Sequence, residues 1–94
     1  MKHFNWNAEK SLLLKQTRGI SFEDAIFHVV KGDLLADYEH PNQGKYGGQR
    51  IMVIAIDDYA YLIPYVENED EIFLKTIIPS RKATEEYLGD KNEH

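Results

Sequence analysis

The chain has 94 residues, enough for one domain with a single modest core and too few for two. Its apolar fraction of 43% is that of an ordinary globular domain, and the absence of cysteine excludes a disulfide framework and a thiolate zinc site. The net charge of −5 counts against a general nucleic-acid binder, because phosphate neutralisation supplies most of that affinity.

The opening Met1-Lys2-His3-Phe4-Asn5-Trp6 lacks the apolar stretch of a signal peptide, and no apolar run approaches membrane-span length. Together with the missing cysteines this predicts a cytoplasmic protein with no membrane contact. Phe4-Asn5-Trp6 suits a short strand, with Trp6 in the core. Asn7 caps a predicted helix over residues 8–16, which Gly19 stops. Ser21 opens a second helix with an acid three residues on, and Phe22, Ala25, Ile26, Val29 and Val30 give it one apolar face. Gly32 ends it. The period then changes to that of strands. Residues 34–39 form one strand, and residues 40–48, with Pro41 and three glycines, form a loop. Strands follow over residues 49–56, 59–66 and 71–78, joined by Asp57-Asp58 and by a polar turn at 67–70. Such short turns predict an antiparallel meander. Thr84 caps a short helix over residues 85–88, and the polar tail 89–94 is expected to fray. The expected fold is α+β: a single domain over residues 1–94, with two N-terminal helices packed on an antiparallel sheet and a short C-terminal helix.

Charge is unevenly spread. Residues 40–56 and 72–84 contain no acid, yet hold five of the eleven cations: Lys45, Arg50, Lys75, Arg81 and Lys82. If Arg50 at the start of its strand approaches Arg81 at the end of the last one, the result is a local basic site on an acidic body. The plainer reading is a solvated charged surface.

The order of motifs adds to this. Phe4-Asn5-Trp6-Asn7, Lys15, Gly19-Ile20-Ser21-Phe22-Glu23-Asp24-Ala25, Arg50, Tyr65 and Ser80-Arg81-Lys82-Ala83-Thr84 together resemble the BrnT-type toxins over about residues 4–87. These are small bacterial ribonucleases of type II toxin–antitoxin pairs with a RelE-like fold. The chain departs from the family pattern in Thr17-Arg18, in its acidic charge, and in the glycine-containing loop after His40. The resemblance implies metal-free, cofactor-free RNA cleavage on the sheet, and a cognate antitoxin, small and DNA-binding, that forms a hetero-oligomer with the toxin. The alternative it leaves open is a weak or inactive RelE-like module that acts through its protein partner.

Such cleavage needs a base for the 2′-hydroxyl, stabilisation of the phosphorane, and a proton for the leaving oxygen. Arg50 and Arg81 suit the second task, since guanidinium presents a charged donor fork to phosphate. His40, of the residue type suited to acid–base work at neutral pH, and its neighbour Glu39 are the acid and base candidates. Lys15, Lys45 and Lys82 are candidate RNA contacts, and Tyr65 or Tyr46 a base-stacking surface. Each has a structural alternative. Arg81 and Lys82 can pair with Glu85 and Glu86, His40 can be a loop residue, and the Tyr59, Tyr61 and Tyr65 stripe can be sheet packing.

Overall fold

The computed structural model describes residues 2–89; the rest of the tail expected to fray lies outside the described residues. In chain order the elements are β1 (His3–Asn5), α1 (Ala8–Arg18), α2 (Phe22–Val30), β2 (Leu34–Glu39), β3 (Gln49–Ile56), β4 (Tyr59–Glu67), β5 (Glu71–Leu74), β6 (Ile78–Pro79) and α3 (Arg81–Leu88). The sheet order is β1-β5-β4-β3-β2, with β6 also paired to β4. β3, β4 and β5 are antiparallel neighbours, as a meander requires. The sheet as a whole is mixed, because β1 lies parallel to β5, and this corrects the all-antiparallel expectation. A hairpin forces antiparallel pairing only on strands it joins directly. Between β1 and β5 lies most of the domain, so no turn sets their direction.

The helix ends follow the local chemistry. Asn7 Oδ1 accepts from the Lys10 N–H at 2.9 Å, and Gly19 closes α1 in the left-handed region at φ 79°. Ser21 and Asp24 cap α2 reciprocally. Asp57 and Asp58 both take positive φ, the backbone of a two-residue hairpin turn.

Two expected boundaries are corrected. The last strand, expected to be continuous over residues 71–78, is broken between Leu74 and Ile78. Pro64 of β4 explains the break. Its carbonyl accepts from the Lys75 N–H at 2.8 Å, so its nitrogen, which has no hydrogen to donate, faces the same side. The ladder loses a rung there, and an Arg18 guanidinium N–H donates to the Ile77 carbonyl at the break. The second correction is at α3. Ser80, not Thr84, is the N-cap: its hydroxyl accepts from the Ala83 N–H at 3.0 Å. Thr84 lies within the helix. Its hydroxyl donates to the Ser80 carbonyl at 2.7 Å and accepts from the Ala60 N–H at 2.8 Å, which fastens α3 to the start of β4.

The core divides between the two sheet faces. Leu14, Phe22 and Ala25 of the first two helices are buried with Met52, Ile54, Ile63, Tyr65 and Leu74. Ala83 and Leu88 of α3 are buried with Val53 and Ala60, which point the other way.

Candidate functional site

Directly paired residues in a sheet share a face, so register decides which side chains meet. Arg50 of β3 is paired with Tyr65 of β4 on one side and with Glu39 of β2 on the other. Asp37 is two residues before Glu39. It reaches the same face because β2 carries a bulge: Leu34 pairs with Ile54, but Ala36 pairs with Val53 and Asp37 with Met52. Without the extra residue Asp37 falls opposite Ile51 and turns to the α3 side.

These three side chains form one hydrogen-bonded cluster. The Tyr65 hydroxyl donates its proton to the Asp37 carboxylate, 2.7 and 2.8 Å from the two oxygens. Arg50 Nε donates to Asp37 Oδ1 and to the Tyr65 oxygen, each at 3.2 Å, and Nη2 lies 3.4 Å from the Asp37 carbonyl oxygen. Arg50 and Asp37 remain about one-third exposed, 33% and 37%, so the cluster opens to solvent. Burial first, and then the bond to Asp37, push the Tyr65 phenol up to about 12. The hydrogen bond to Tyr65, with the Asp37 charge beside it, raises the Arg50 pKa above its ordinary value. At neutral pH the cluster therefore holds a cation, an anion and a neutral phenol.

The loop after β2 adjoins this cluster, tied by the His40 N–H to the Gln49 carbonyl at 2.9 Å. His40 Nδ1 accepts from the Asn42 N–H at 3.0 Å, which leaves Nε2 to carry the proton of the neutral ring. The ring lies against Tyr46, with centroids 4.4 Å apart and planes 36° apart. Lys45 Nζ sits 5.3 Å from the Tyr46 centroid. Gln43 braces the loop, donating to the His40 and Gln49 carbonyls and accepting from the Gly48 N–H.

The other predicted site residues lie elsewhere. Arg50 and Arg81 do not converge. Alternate strands of a meander run parallel, so the start of β3 lies near the start of β5, not near the end of β6. Along β4, Arg50 is opposite Tyr65 while Pro79 is opposite Tyr61, a difference of about 13 Å of strand. Arg81 also stands in the first turn of α3, on the opposite sheet face. Lys82 shares a shallow depression with Tyr38, Leu62, Glu86 and Tyr87 on that side. Among the described residues neither Arg81 nor Lys82 forms an ion pair with Glu85 or Glu86. Lys15 bonds Asp24 at 2.8 Å, and Asp24 in turn caps α2, so this lysine braces the helix pair. Tyr65 is 3% exposed and offers no ring face for a stacked base; only its hydroxyl reaches the cluster. Tyr59 and Tyr61 pack edge to face on that stripe, with centroids 5.6 Å apart.

Sequence reasoning missed Asp37. Its signal was present, since Asp37 and Glu39 alternate along one strand, but the bulge that turns Asp37 toward Arg50 has no sequence marker. Among the described residues no three His, Cys, Asp or Glu side chains gather to hold a metal, and no helix is long and apolar enough to cross a membrane. Comparison of the chain with protein-family models, curated proteins and solved structures finds no match.

Proposed function

We propose that the protein is a BrnT-type ribonuclease toxin with a RelE-like arrangement, acting in the cytoplasm and inhibited by a cognate antitoxin. The observation that carries the reading is the solvent-facing Arg50 guanidinium, held along its Nε edge beside a neutral phenol. The motifs from Gly19 to Ala25 and from Ser80 to Thr84 support it as a resemblance. In this reading Arg50 offers its outer N–H groups to the scissile phosphate and stabilises the added charge of the phosphorane. Glu39, across from Arg50 in the register, takes the proton of the 2′-hydroxyl as its oxygen attacks phosphorus. His40, once its Nδ1 releases the Asn42 N–H and takes up a proton, delivers the Nε2 proton to the departing 5′-oxygen, leaving a 2′,3′-cyclic phosphate and a 5′-hydroxyl. Lys45 draws the RNA backbone toward the loop. Arg81 and Lys82, on the other face, serve a second stretch of RNA or the antitoxin.

RNA cleavage and growth arrest on induction test this. Arg50→Ala is expected to lower cleavage by roughly two to three orders of magnitude with the fold intact, the usual loss of one oxyanion-stabilising donor. Arg81→Ala is expected to lower it far less. Full activity in Arg50→Ala ends the reading.

A second reading is favoured by one observation: Asp37 already neutralises Arg50. On that reading the protein is a catalytically inactive module that binds a small antitoxin. Pull-down with the product of the adjacent gene, without RNA decay on induction, distinguishes it.

A further inference from the structure

The Asp37 carboxylate lies on the inner edge of Arg50, with one oxygen 3.2 Å from Nε and both oxygens within 2.8 Å of the Tyr65 hydroxyl. This carboxylate has two effects that oppose each other. It fixes the guanidinium by its Nε edge, so that among the described residues Nη1 is left with no hydrogen-bond partner. It also places a full negative charge within a few ångströms of any anion that docks on the outer edge. Tyr65, which bonds Asp37 through its own proton, strengthens the hold but adds no charge to offset it. A residue serving only to orient Arg50 needs an acceptor, not a charge; a neutral amide oxygen would do the same.

We propose that Asp37 is an electrostatic brake on the Arg50 site: it orients the guanidinium and at the same time weakens its grip on RNA phosphate. The proposal rests on reading Arg50 as a phosphate ligand. A unit charge about 6 Å from the docked phosphate, in a setting between water and protein surface, weakens binding by roughly three- to tenfold. Asp37 is a positioning residue in this account, since it touches Arg50 and not the RNA.

The test compares affinities for a short single-stranded 2′-O-methyl RNA, which cannot be cleaved, by fluorescence anisotropy at low salt. Asp37→Asn keeps the acceptor oxygen and removes the charge. It is expected to bind roughly three- to tenfold more tightly than wild type. Adding Arg50→Ala to it is expected to erase the gain. Asp58→Asn, in the hairpin at the far end of β3, removes the same charge from the molecule and is expected to gain less than about twofold. No gain in Asp37→Asn, an equal gain in Asp58→Asn, a gain that survives Arg50→Ala, or no RNA binding by any variant overturns the proposal. If Asp37→Asn does not melt cooperatively, Asp37→Ser, which also keeps a neutral acceptor oxygen and removes the charge, replaces it with the same outcomes. The two readings fail separately. Cleavage of natural RNA with no gain in Asp37→Asn removes the brake alone, and a gain without any cleavage removes the ribonuclease reading alone.

Discussion

Tyr65 carries two functions in one side chain. Its ring is part of the core beneath α1 and α2, and its hydroxyl ends among charges. Tyr65→Phe separates them. The ring stays packed, Asp37 loses a donor, and Arg50 Nε loses one of its two acceptors. Stability is expected to fall by about 1 kcal/mol, the ordinary net value of such a bond. The phenol itself is observable. With its pKa pushed up to about 12, Tyr65 stays protonated while ordinary tyrosines ionise near 10. Because the folded value is raised, the contribution is complete below the ordinary range and is lost as pH climbs through about 12. Burial also raises Tyr38 and Tyr61, so absorbance titration of the folded protein is expected to show late-titrating tyrosines, with a last step near 12 that is missing in Tyr65→Phe. A wild-type curve with every tyrosine ionising together near 10 contradicts this.

Among the elements, α3 depends most on a single side chain. It is eight residues long, too short to persist without tertiary support, and packs only Ala83 and Leu88 into the core on its side of the sheet. Thr84 adds the hydrogen bond from the Ala60 N–H, which belongs to a residue with no exposed surface. Thr84→Val keeps the shape and removes the acceptor. Leaving that N–H unpaired is expected to cost about 1–3 kcal/mol, a fall of several degrees in melting temperature for a domain of this size. Thr84→Ser, which retains the hydroxyl, is expected to recover most of the loss. Equal melting temperatures for wild type and Thr84→Val show that α3 is held by packing alone. The sequence marked Thr84 as a cap because a hydroxyl before two glutamates is a common helix start. Ser80, four residues earlier, is also a capping hydroxyl but stands before Arg81 and Lys82, and the contact of Thr84 with Ala60 cannot be seen without the β4–β6 pairing.

The molecule as a whole is acidic, and its stability is expected to fall in acid for a specific reason. Ser11, 3% exposed, donates to Glu23 at 2.6 Å and accepts from the Phe22 N–H, so α1 is fastened to the start of α2. The Ser11 hydrogen bond holds the Glu23 carboxyl below its usual range. The hydrogen bond to Lys15 does the same for Asp24, and that to His28 for Asp33. Each depressed value means the folded state favours the charged form. The stabilisation is present above the ordinary carboxylate range and is lost as pH falls through the lowered values. Ser11→Ala is expected to be less stable at pH 7 and to lose less further stability on acidification. Urea melts at neutral and acid pH measure both. A Ser11→Ala curve parallel to wild type separates Glu23 from the acid response.

The N-caps of α1 and α2, the two-residue hairpin at Asp57-Asp58 and the spans of β2, β3 and β4 were legible in the chain. Each is set by neighbours a few residues apart: a side-chain oxygen within reach of a backbone N–H, or two residues tolerant of positive φ. Arg50 and Tyr65 could be marked as polar groups on strands, but their meeting could not. It depends on pairing partners fifteen residues apart, and on a bulge in β2 that moves Asp37 from one face to the other. The same limit separates Arg50 from Arg81. These two cations, from separate acid-free windows, lie on opposite faces of the sheet, because strand direction and register determine which side chains share a surface.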